Sequence, residues 1–174
     1  IPYVGCGVLA SSVSMDKAYT KIILKDAGIP QCKHTVVYRN EILSADGRYI
    51  SRVENEIGYP CFIKPSNSGS SVGVYKVKNR EELDIALYNA QKYDRKIIVE
   101  EFIDGREVEC AVLGNENPIA STPGEIIPSK EFYDYEDKYK SGTSVVEIPA
   151  NIPAEKREEI RKYAVKAFKA LDCA

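Results

Sequence analysis

The sequence has a single histidine, His34, among 174 residues. Catalysis by a serine–histidine or cysteine–histidine pair is therefore excluded unless His34 itself takes part. His34 opens an apolar run that ends at Tyr38, and such a run is typical of a β-strand. We therefore predict that His34 is a strand residue and not a catalytic one.

Cysteines are few and show no pairing pattern. The five are an odd number, are spread along the chain and include no C-x-x-C pair. This spacing fits neither a disulfide scaffold nor a zinc site, so we predict reduced thiols. The sequence also lacks an apolar run of membrane-spanning length and a secretory signal at its start. These absences predict a cytoplasmic protein with no membrane partner.

Neither sign of charge is in excess. The 24 lysines and arginines nearly balance the 26 aspartates and glutamates, for a formal net charge of -2. This balance gives no support for a nucleic-acid partner. A hydrophobic content of 44% with 29% charged residues is typical of a globular chain, and the length suffices for one domain or two small lobes.

Both ends of the sequence are abrupt. It starts at Ile1 within an apolar, glycine-containing run, and it stops at Ala174 directly after a predicted helix. We therefore expect it to be a piece of a longer protein.

Apolar periodicity predicts several helices. The first is expected over residues 15–27, with Ser14 as its N-cap. Its apolar positions are expected to face a core: Tyr19, Ile22, Ile23 and Ala27. Further helices are predicted over residues 52–57, from Asn79 to about residue 92 through a capping-box-like start, and after Pro153, which is expected in the first turn.

Short apolar runs predict strands between these helices. They are expected over residues 34–38, 61–64, 72–77, 96–102, 107–113, 118–121 and 125–127. A tight turn at Asp104-Gly105 is expected to join two of them as a hairpin. Helices and strands are mixed without regular βαβ alternation, which favours an α+β fold over a doubly wound parallel sheet.

A loop of small polar residues follows one predicted strand. Lys64 and Pro65 end the strand, and residues 66–71 carry no apolar side chain. Such a loop exposes backbone N–H groups and hydroxyls that can bind phosphate oxygens. The lysine precedes the loop, so the pattern is not that of a P-loop. The alternative is a flexible connection between two strands.

Two other candidates are ambiguous when taken alone. Lys17 lies on the first predicted helix, where most lysines are simply solvated. The strand end at Glu100 and Glu101, with Glu107 nearby in sequence, could offer backbone edges and carboxylates to a nucleoside. The alternative is a strand that leaves the core with polar residues at its end.

Residues 128–143 form a polar and aromatic segment that is long for a simple turn. Phe132, Tyr133, Tyr135 and Tyr139 are crowded into it. Exposed aromatic residues favour a binding function, whereas a loop that packs on its own rings is the alternative.

The order and spacing of these motifs are more specific than any one of them. Over nearly its full length the chain resembles the D-alanine–D-alanine ligases of the ATP-grasp superfamily. The motifs that carry the resemblance are Ser14-Met15-Asp16-Lys17, Ile63-Lys64-Pro65-Ser66, Gly69-Ser70-Ser71-Val72-Gly73, Val99-Glu100-Glu101-Phe102 and Phe132-Tyr133-Asp134-Tyr135 followed by Lys138-Tyr139.

The resemblance implies an ATP-grasp fold with two α+β lobes, largely antiparallel sheets and an incomplete C-terminal lobe. Residues 1–13 would connect to a preceding domain, residues 14–102 would form the central lobe, and residues 103–174 would begin the C-terminal lobe. The ATP-binding residues that it implies are Lys17, Lys64, Ser70, Ser71, Glu100, Glu101, Phe102, Ile103, Glu107, Phe132 and Lys138.

Within this set the resemblance assigns individual contacts. Lys17 and Lys64 would hold the α- and β-phosphates, and Ser70 and Ser71 would close over the phosphates as a lid. Glu100 and the backbone of Glu101 and Ile103 would contact adenine, with Phe102 stacked near it. Glu107 would bind the ribose hydroxyls. Ser70, Lys138 and Tyr139 would be the catalytic residues, with Lys138 at the γ-phosphate.

The implied reaction joins two D-alanines through an acyl phosphate, using ATP and Mg²⁺, for peptidoglycan precursor synthesis. The ligands of Mg²⁺ would lie outside this chain, so no metal ligand is assigned and the piece alone is expected to form no dipeptide. The parent enzyme would be a homodimer. A D-alanine–D-serine ligase, an ATP-grasp ligase for another carboxylate and a non-catalytic ATP-grasp module are the alternatives.

Overall fold

Helices and strands follow one another irregularly along the chain. The computed structural model describes residues 3–44, 46–128 and 144–174. The helices in these ranges are α1 (Val8–Met15), α2 (Lys17–Asp26), α3 (Arg39–Leu43), α4 (Arg48–Glu56), α5 (Arg80–Ala90) and α6 (Ala154–Ala170). The strands are β1 (His34–Tyr38), β2 (Cys61–Pro65), β3 (Tyr75–Val77), β4 (Lys96–Glu101), β5 (Glu107–Glu109), β6 (Val112–Leu113), β7 (Ile119–Ala120), β8 (Gly124–Ile127) and β9 (Val145–Glu147).

All pairings between these strands are antiparallel, and helices cover the sheets. The predicted α+β class is therefore confirmed. The packing divides the chain into two units. The first, here called the four-stranded unit, comprises Met15–Ala18 and Gln31–Asp104. The second, here called the three-stranded unit, comprises the described parts of Ile1–Ser14, Tyr19–Pro30 and Gly105–Ala174.

The four-stranded unit is built around the sheet β1-β4-β2-β3. Its central strand β4 is buried from Lys96 to Glu100 and pairs with β1 on one side and β2 on the other. Helix α4 packs on β1, and α5 packs on β2 and β3. The core lies on the face of the sheet that α4 and α5 cover. It is formed by Val37, Ile42, Tyr49, Ile50, Val53, Cys61, Ile63, Val77, Leu83, Ala86, Leu87, Ala90, Ile97 and Val99.

The three-stranded unit contains the sheet β5-β8-β9 and the separate pair β6-β7. The buried Glu125 of β8 accepts a hydrogen bond from Arg106 Nε at 2.5 Å. Helix α6 packs against β6 and β7, where Arg161 donates to the Ala120 carbonyl at 3.2 Å. No residue of α6 is fully buried, so this helix covers its neighbours with half-buried side chains.

Several local predictions are confirmed. His34 begins β1, and all five cysteines are free thiols. The predicted N-cap of α5 is present, since the Asn79 side chain accepts from the Glu82 N–H at 3.0 Å, but the Glu82 carboxylate accepts from the Lys78 N–H, at 2.8 Å. In the described ranges no helix combines the length and apolar character needed to cross a bilayer.

The predicted start of the first helix is wrong. Ser14 lies inside α1, and a second helix begins at Lys17. Asp16 separates the two helices because its carboxylate accepts from the Ala18 N–H at 3.1 Å, which is the contact of an N-cap. The predicted core face of this helix is only partly correct, since Tyr19 and Ile22 are exposed while Ile23 and Ala27 are half-buried.

The predicted hairpin at Asp104-Gly105 is also wrong. Strand β4 pairs with β1 and β2, whereas β5 pairs with β8 in the other unit. The turn-forming dipeptide therefore marks the passage from one unit to the next. Helix α3 was not predicted, α4 begins at Arg48 rather than at residue 52, and Pro153 occupies the N-cap position of α6 rather than its first turn.

Candidate functional site

One face of the four-stranded sheet carries charged side chains that the sequence predicted for a site. Residues directly opposite each other in antiparallel strands share a face. Phe62 lies opposite Glu100, and Lys64 is two residues further along β2. Ile63, which lies between Phe62 and Lys64 in the sequence, belongs to the core. Lys64 and Glu100 therefore project from the face opposite the core.

Lys64 and Glu100 form an ion pair on this face. Lys64 Nζ donates to Glu100 Oε2 at 2.5 Å, and the Glu100 side chain is only 9% exposed. A carboxylate this buried is costly to leave unpaired, so the ammonium of Lys64 stabilises it. The sequence pointed to both residues but not to their pairing. The contact of Glu100 with adenine that the resemblance implies stays a prediction.

The charge of Lys64 affects the pKa of Lys17. Partial burial and the neighbouring Lys64 ammonium lower the pKa of Lys17, while the Glu100, Asp16 and Asp94 carboxylates act in the opposite direction. Two ammonium groups that repel each other in a half-buried setting attract an anion with more than one charge. The donor set therefore fits a polyphosphate such as that of ATP.

The serine–glycine loop is held against Lys17. Lys17 Nζ donates to the Ser68 carbonyl and, at 3.5 Å, to the Ser66 carbonyl. Ser70 and Ser71 both have left-handed backbones, with φ of 52° and 60°. Such conformations are sparsely populated for residues other than glycine and cluster at binding loops. The loop thus combines strained backbone, small side chains and a nearby ammonium.

Gly73 ends this loop in a position that only glycine fits. Its φ is 71°, and an added Cβ would lie 2.8 Å from Tyr93 Cδ2 and 2.9 Å from Pro65 Cγ. The close approach of Tyr93 and Pro65 fixes where the loop returns to the sheet.

The last residue of β4 and the residue that follows it make backbone contacts within their own unit. The Glu101 N–H donates to the Lys33 carbonyl at 3.0 Å, and the Phe102 N–H donates to the Pro60 carbonyl at 3.2 Å. A base contact by the Glu101 backbone would therefore have to use its carbonyl oxygen. Ile103, also predicted at adenine, is 60% exposed.

The Phe102 ring has a cation on one face. Lys76 Nζ lies 3.6 Å from the ring centroid, and the Phe62 centroid is 6.1 Å away at an interplanar angle of 45°. A cation–π contact at this distance orients the ring. Phe102 is thereby positioned by side chains of β2 and β3.

Four other predicted site residues belong to later parts of the chain. Glu107 is an exposed residue at the start of β5, in the three-stranded unit. Phe132, Lys138 and Tyr139 lie outside the described residues. Among the residues that the structure does describe, no group of three or more histidines, cysteines, aspartates or glutamates could hold a metal ion.

Asp16 and Lys96 also contribute to this face and were not predicted as site residues. Lys96 Nζ donates to Asp16 Oδ2, and their side chains are only 6% and 13% exposed respectively. The available signal was a lysine at the head of an otherwise apolar strand, because a buried cation requires a partner. Pattern alone does not tell which carboxylate that partner is.

A protein-family model described as D-ala D-ala ligase C-terminus matches residues 23–174. The chain belongs to this family. A D-alanine–D-alanine ligase of Acetivibrio thermocellus is 59% identical over 174 residues, covering 100% of this chain and 46% of that protein. One of Ruminiclostridium cellulolyticum is 58% identical over 176 residues, covering 100% of this chain and 47% of that protein.

Solved structures give the same family likeness. The D-Ala:D-Ser ligase VanG of Enterococcus faecalis matches with a TM-score of 0.87 at 40% identity, over all of this chain and 50% of that one. The D-alanine–D-alanine ligase of Coxiella burnetii matches with a TM-score of 0.82 at 33% identity, over all of this chain and 44% of that one. The fold is that of ATP-grasp ligases, as the motifs predicted.

The chain spans about half the length of the curated relatives that it matches. The match to the D-ala D-ala ligase family starts at residue 23, after Asp16 and Lys17. The two curated ligases nevertheless align over the whole chain. Both lysines of the candidate site therefore lie within sequence shared with these ligases.

Proposed function

We propose that this chain forms the ATP-phosphate-binding part of a D-alanine–D-alanine ligase. The observation that carries the proposal is the hydrogen bonding of Lys17 Nζ to the carbonyls of the serine–glycine loop, which begins directly after the strand that carries Lys64. The lowering of the Lys17 pKa by the Lys64 charge supports it. The substrate class is supported by the names of relatives that are 58–59% identical.

Each predicted residue has a role in this proposal. Lys17 and Lys64 bind the α- and β-phosphates as compact charges, and Ser70 and Ser71 close over them. Glu100 holds Lys64 in place by the ion pair described above. Glu100 and the backbone of Glu101 and Ile103 contact adenine, with Phe102 stacked near it.

Three further roles concern residues elsewhere in the chain. Glu107 binds the ribose hydroxyls. Phe132 and Lys138 contact the nucleotide, and Lys138, Tyr139 and Ser70 act in catalysis. These assignments rest on the motifs that this chain shares with the family.

The chemistry requires positioning more than covalent catalysis by the protein. When bound, ATP supplies the phosphoryl group that activates the carboxylate of one D-alanine for attack by the amine of another. The two lysines neutralise phosphate charge, and a closed serine–glycine loop excludes water that would compete with the amine. The described acidic residues do not fit a resident metal, so we assign no ligand of Mg²⁺ to them.

The larger setting is proposed on the same basis. Residues 1–13 would connect to a preceding domain, residues 14–102 would form the central lobe, and residues 103–174 would begin the C-terminal lobe. The parent enzyme would be a cytoplasmic homodimer that uses Mg²⁺ and supplies D-alanyl-D-alanine for peptidoglycan synthesis.

A D-alanine–D-serine ligase is the second candidate. The specific observation in its favour is the VanG structure, named as a D-Ala:D-Ser ligase, which matches the whole chain at 40% identity. Both candidates use the same nucleotide site and differ in the second amino acid.

The test is phosphate release from ATP by the full-length protein with D-alanine alone, and with D-alanine plus D-serine or D-lactate. We expect release and a D-alanyl-D-alanine product with D-alanine alone. A mixed D-alanyl-D-serine product in preference to the dialanine would favour the second candidate. Binding of ATP without any product from these substrates would support a non-catalytic module or a ligase for another carboxylate, and would overturn the proposal.

A further inference from the structure

A buried ion pair underlies the loop that holds Lys17. The Lys96 side chain is 6% exposed and the Asp16 side chain 13% exposed, and Lys96 Nζ donates to Asp16 Oδ2. A buried pair of this kind often adds no stability over well-packed apolar side chains. Its presence beneath a candidate phosphate site therefore points to a function other than stability.

Both oxygens of Asp16 are engaged with different segments. Oδ1 accepts from the Ala18 N–H at 3.1 Å and from Ser66 Oγ at 2.7 Å. Oδ2 accepts from Lys96 and, at 3.4 Å, from Asn67 Nδ2. One carboxylate thus joins the first turn of α2, the start of the serine–glycine loop and the head of β4.

The neighbouring contacts complete this arrangement. The fully buried Ser66 accepts from the Lys17 N–H through its carbonyl at 3.0 Å. The Asn67 N–H donates to Asp94 Oδ2 at 2.8 Å, and Asp94 Oδ1 accepts from the Lys96 N–H at 3.2 Å. The loop is therefore attached at its first two residues, before its left-handed turn begins.

We propose that Asp16 and Lys96 are positioning residues of the phosphate site, which set the place of Lys17 and of the serine–glycine loop before the nucleotide binds. This inference rests on the proposed function, because it assumes that Lys17 and the loop bind the phosphates of ATP. Asp16 and Lys96 themselves touch neither the nucleotide nor the reacting groups in this proposal.

Asp16 has a second, electrostatic effect on Lys17. Burial and Lys64 lower the pKa of Lys17, and the carboxylates of Glu100, Asp16 and Asp94 oppose this change. Removing the charge of Asp16 would therefore lower the pKa of Lys17 further. The Lys17 ammonium would then be lost at a lower pH, a change that a loss of folding stability alone would not produce.

The test measures ATP affinity and thermal stability of the full-length ligase with Asp16→Asn, with Lys96→Met and with both. We expect the dissociation constant and the KM for ATP to rise about tenfold in each single variant, because each variant loses one charge-assisted hydrogen bond. The KM for D-alanine should stay near the wild-type value. The double variant removes both charges of this ion pair together, so neither is left without the other, and it guards against loss of folding.

The matched control is Arg52→Met in the same unit. Arg52 pairs with Glu41 at 2.8 Å and also donates to the Val36 carbonyl. We expect this variant to lower the melting temperature without weakening ATP binding. We also expect the alkaline limit of ATP binding to move to lower pH in Asp16→Asn.

Two results would overturn the inference, and they differ from each other. Asp16→Asn and Lys96→Met that melt earlier but bind ATP with wild-type affinity and pH dependence would show that the pair is only structural. A wild-type protein that binds no ATP would instead remove the proposed function on which the inference rests.

Discussion

Lys64 and Glu100 are diagonal neighbours on adjacent strands rather than directly opposed residues. Phe62 lies opposite Glu100 and Ile98 lies opposite Lys64, yet Lys64 Nζ reaches Glu100 Oε2 at 2.5 Å. The long lysine side chain spans the diagonal between the two positions. Its ammonium is therefore fixed by the sheet rather than by a loop, which is the condition for a preorganised anion site.

Replacement of this lysine tests the site most directly. Lys64→Met in the full-length ligase should raise the dissociation constant for ATP by about tenfold or more, because a charge-assisted contact to phosphate is lost. Titration calorimetry measures the change. Lys92→Met is the control, since the Lys92 ammonium lies 4.9 Å from the Tyr88 ring and bonds Asn89 on the exposed side of the unit. An equal loss of affinity in both variants would contradict the assignment.

ATP binding should weaken at alkaline pH because of Lys17. Its pKa is lowered from the ordinary value of 10.5 by burial and by Lys64, so the ammonium is lost as pH rises through that lowered value. ATP affinity should therefore fall at a pH below the ordinary lysine range. Titrations at a series of pH values should show this limit in the wild type and lose it in Lys17→Met.

The substitution Lys17→Met should not reduce folding stability. A lysine pKa below its unfolded value means that the charged form is disfavoured in the folded chain. This cost is present in full below the lowered folded pKa and shrinks as pH rises from that pKa to the ordinary value of 10.5. Lys17→Met should therefore bind ATP more weakly while its melting temperature at neutral pH stays level or rises. A large drop in melting temperature would count against this account of Lys17.

Gly73 should not tolerate a side chain. In Gly73→Ala the new Cβ would lie 2.8 Å from Tyr93 and 2.9 Å from Pro65 on a backbone with φ of 71°, so we expect a loss of about 1–3 kcal/mol in the free energy of unfolding. Gly69→Ala in the same loop is the control, because nothing lies within 4 Å of its Cβ position. Denaturant unfolding of the two variants should separate them clearly.

The N-cap of α5 should contribute stability but not nucleotide affinity. The Asn79 side chain accepts from the Glu82 N–H, and the Glu82 carboxylate accepts from the Lys78 N–H at 2.8 Å. Asn79→Ala should lower the free energy of unfolding by about 1 kcal/mol, whereas Asn79→Ser should keep most of the stability that the cap contributes. ATP affinity at a temperature well below unfolding should be unchanged in both.

Local signals were sufficient for much of the four-stranded unit. The apolar runs that became β1, β2 and β4, and the Asn79–Glu82 cap, depend on side-chain periodicity and hydrogen bonds within a few residues. Such features are visible in sequence because their partners are close along the chain. The motifs that contain Lys17, Lys64 and Ser70-Ser71 were recognised by their resemblance to the ligase family.

Contacts between distant segments account for what was missed. The sequence Asp104-Gly105 is typical of a hairpin turn, but β5 pairs with β8 and not with β4. The pairing of a strand depends on packing between distant segments, which a local turn signal does not contain. Asp16 ends one helix and caps the next because Ser66 and Lys96, fifty and eighty residues away, meet its carboxylate.

The motifs that resemble the family thus indicated an ATP-grasp ligase and the two lysines that we propose bind phosphate. They could not indicate that Glu100 pairs with Lys64 or that Asp16 pairs with Lys96, since a carboxylate has no intrinsic preference among the lysines of a chain. The antiparallel register of β2 and β4 brings the first pair together, and burial beneath the serine–glycine loop selects the second.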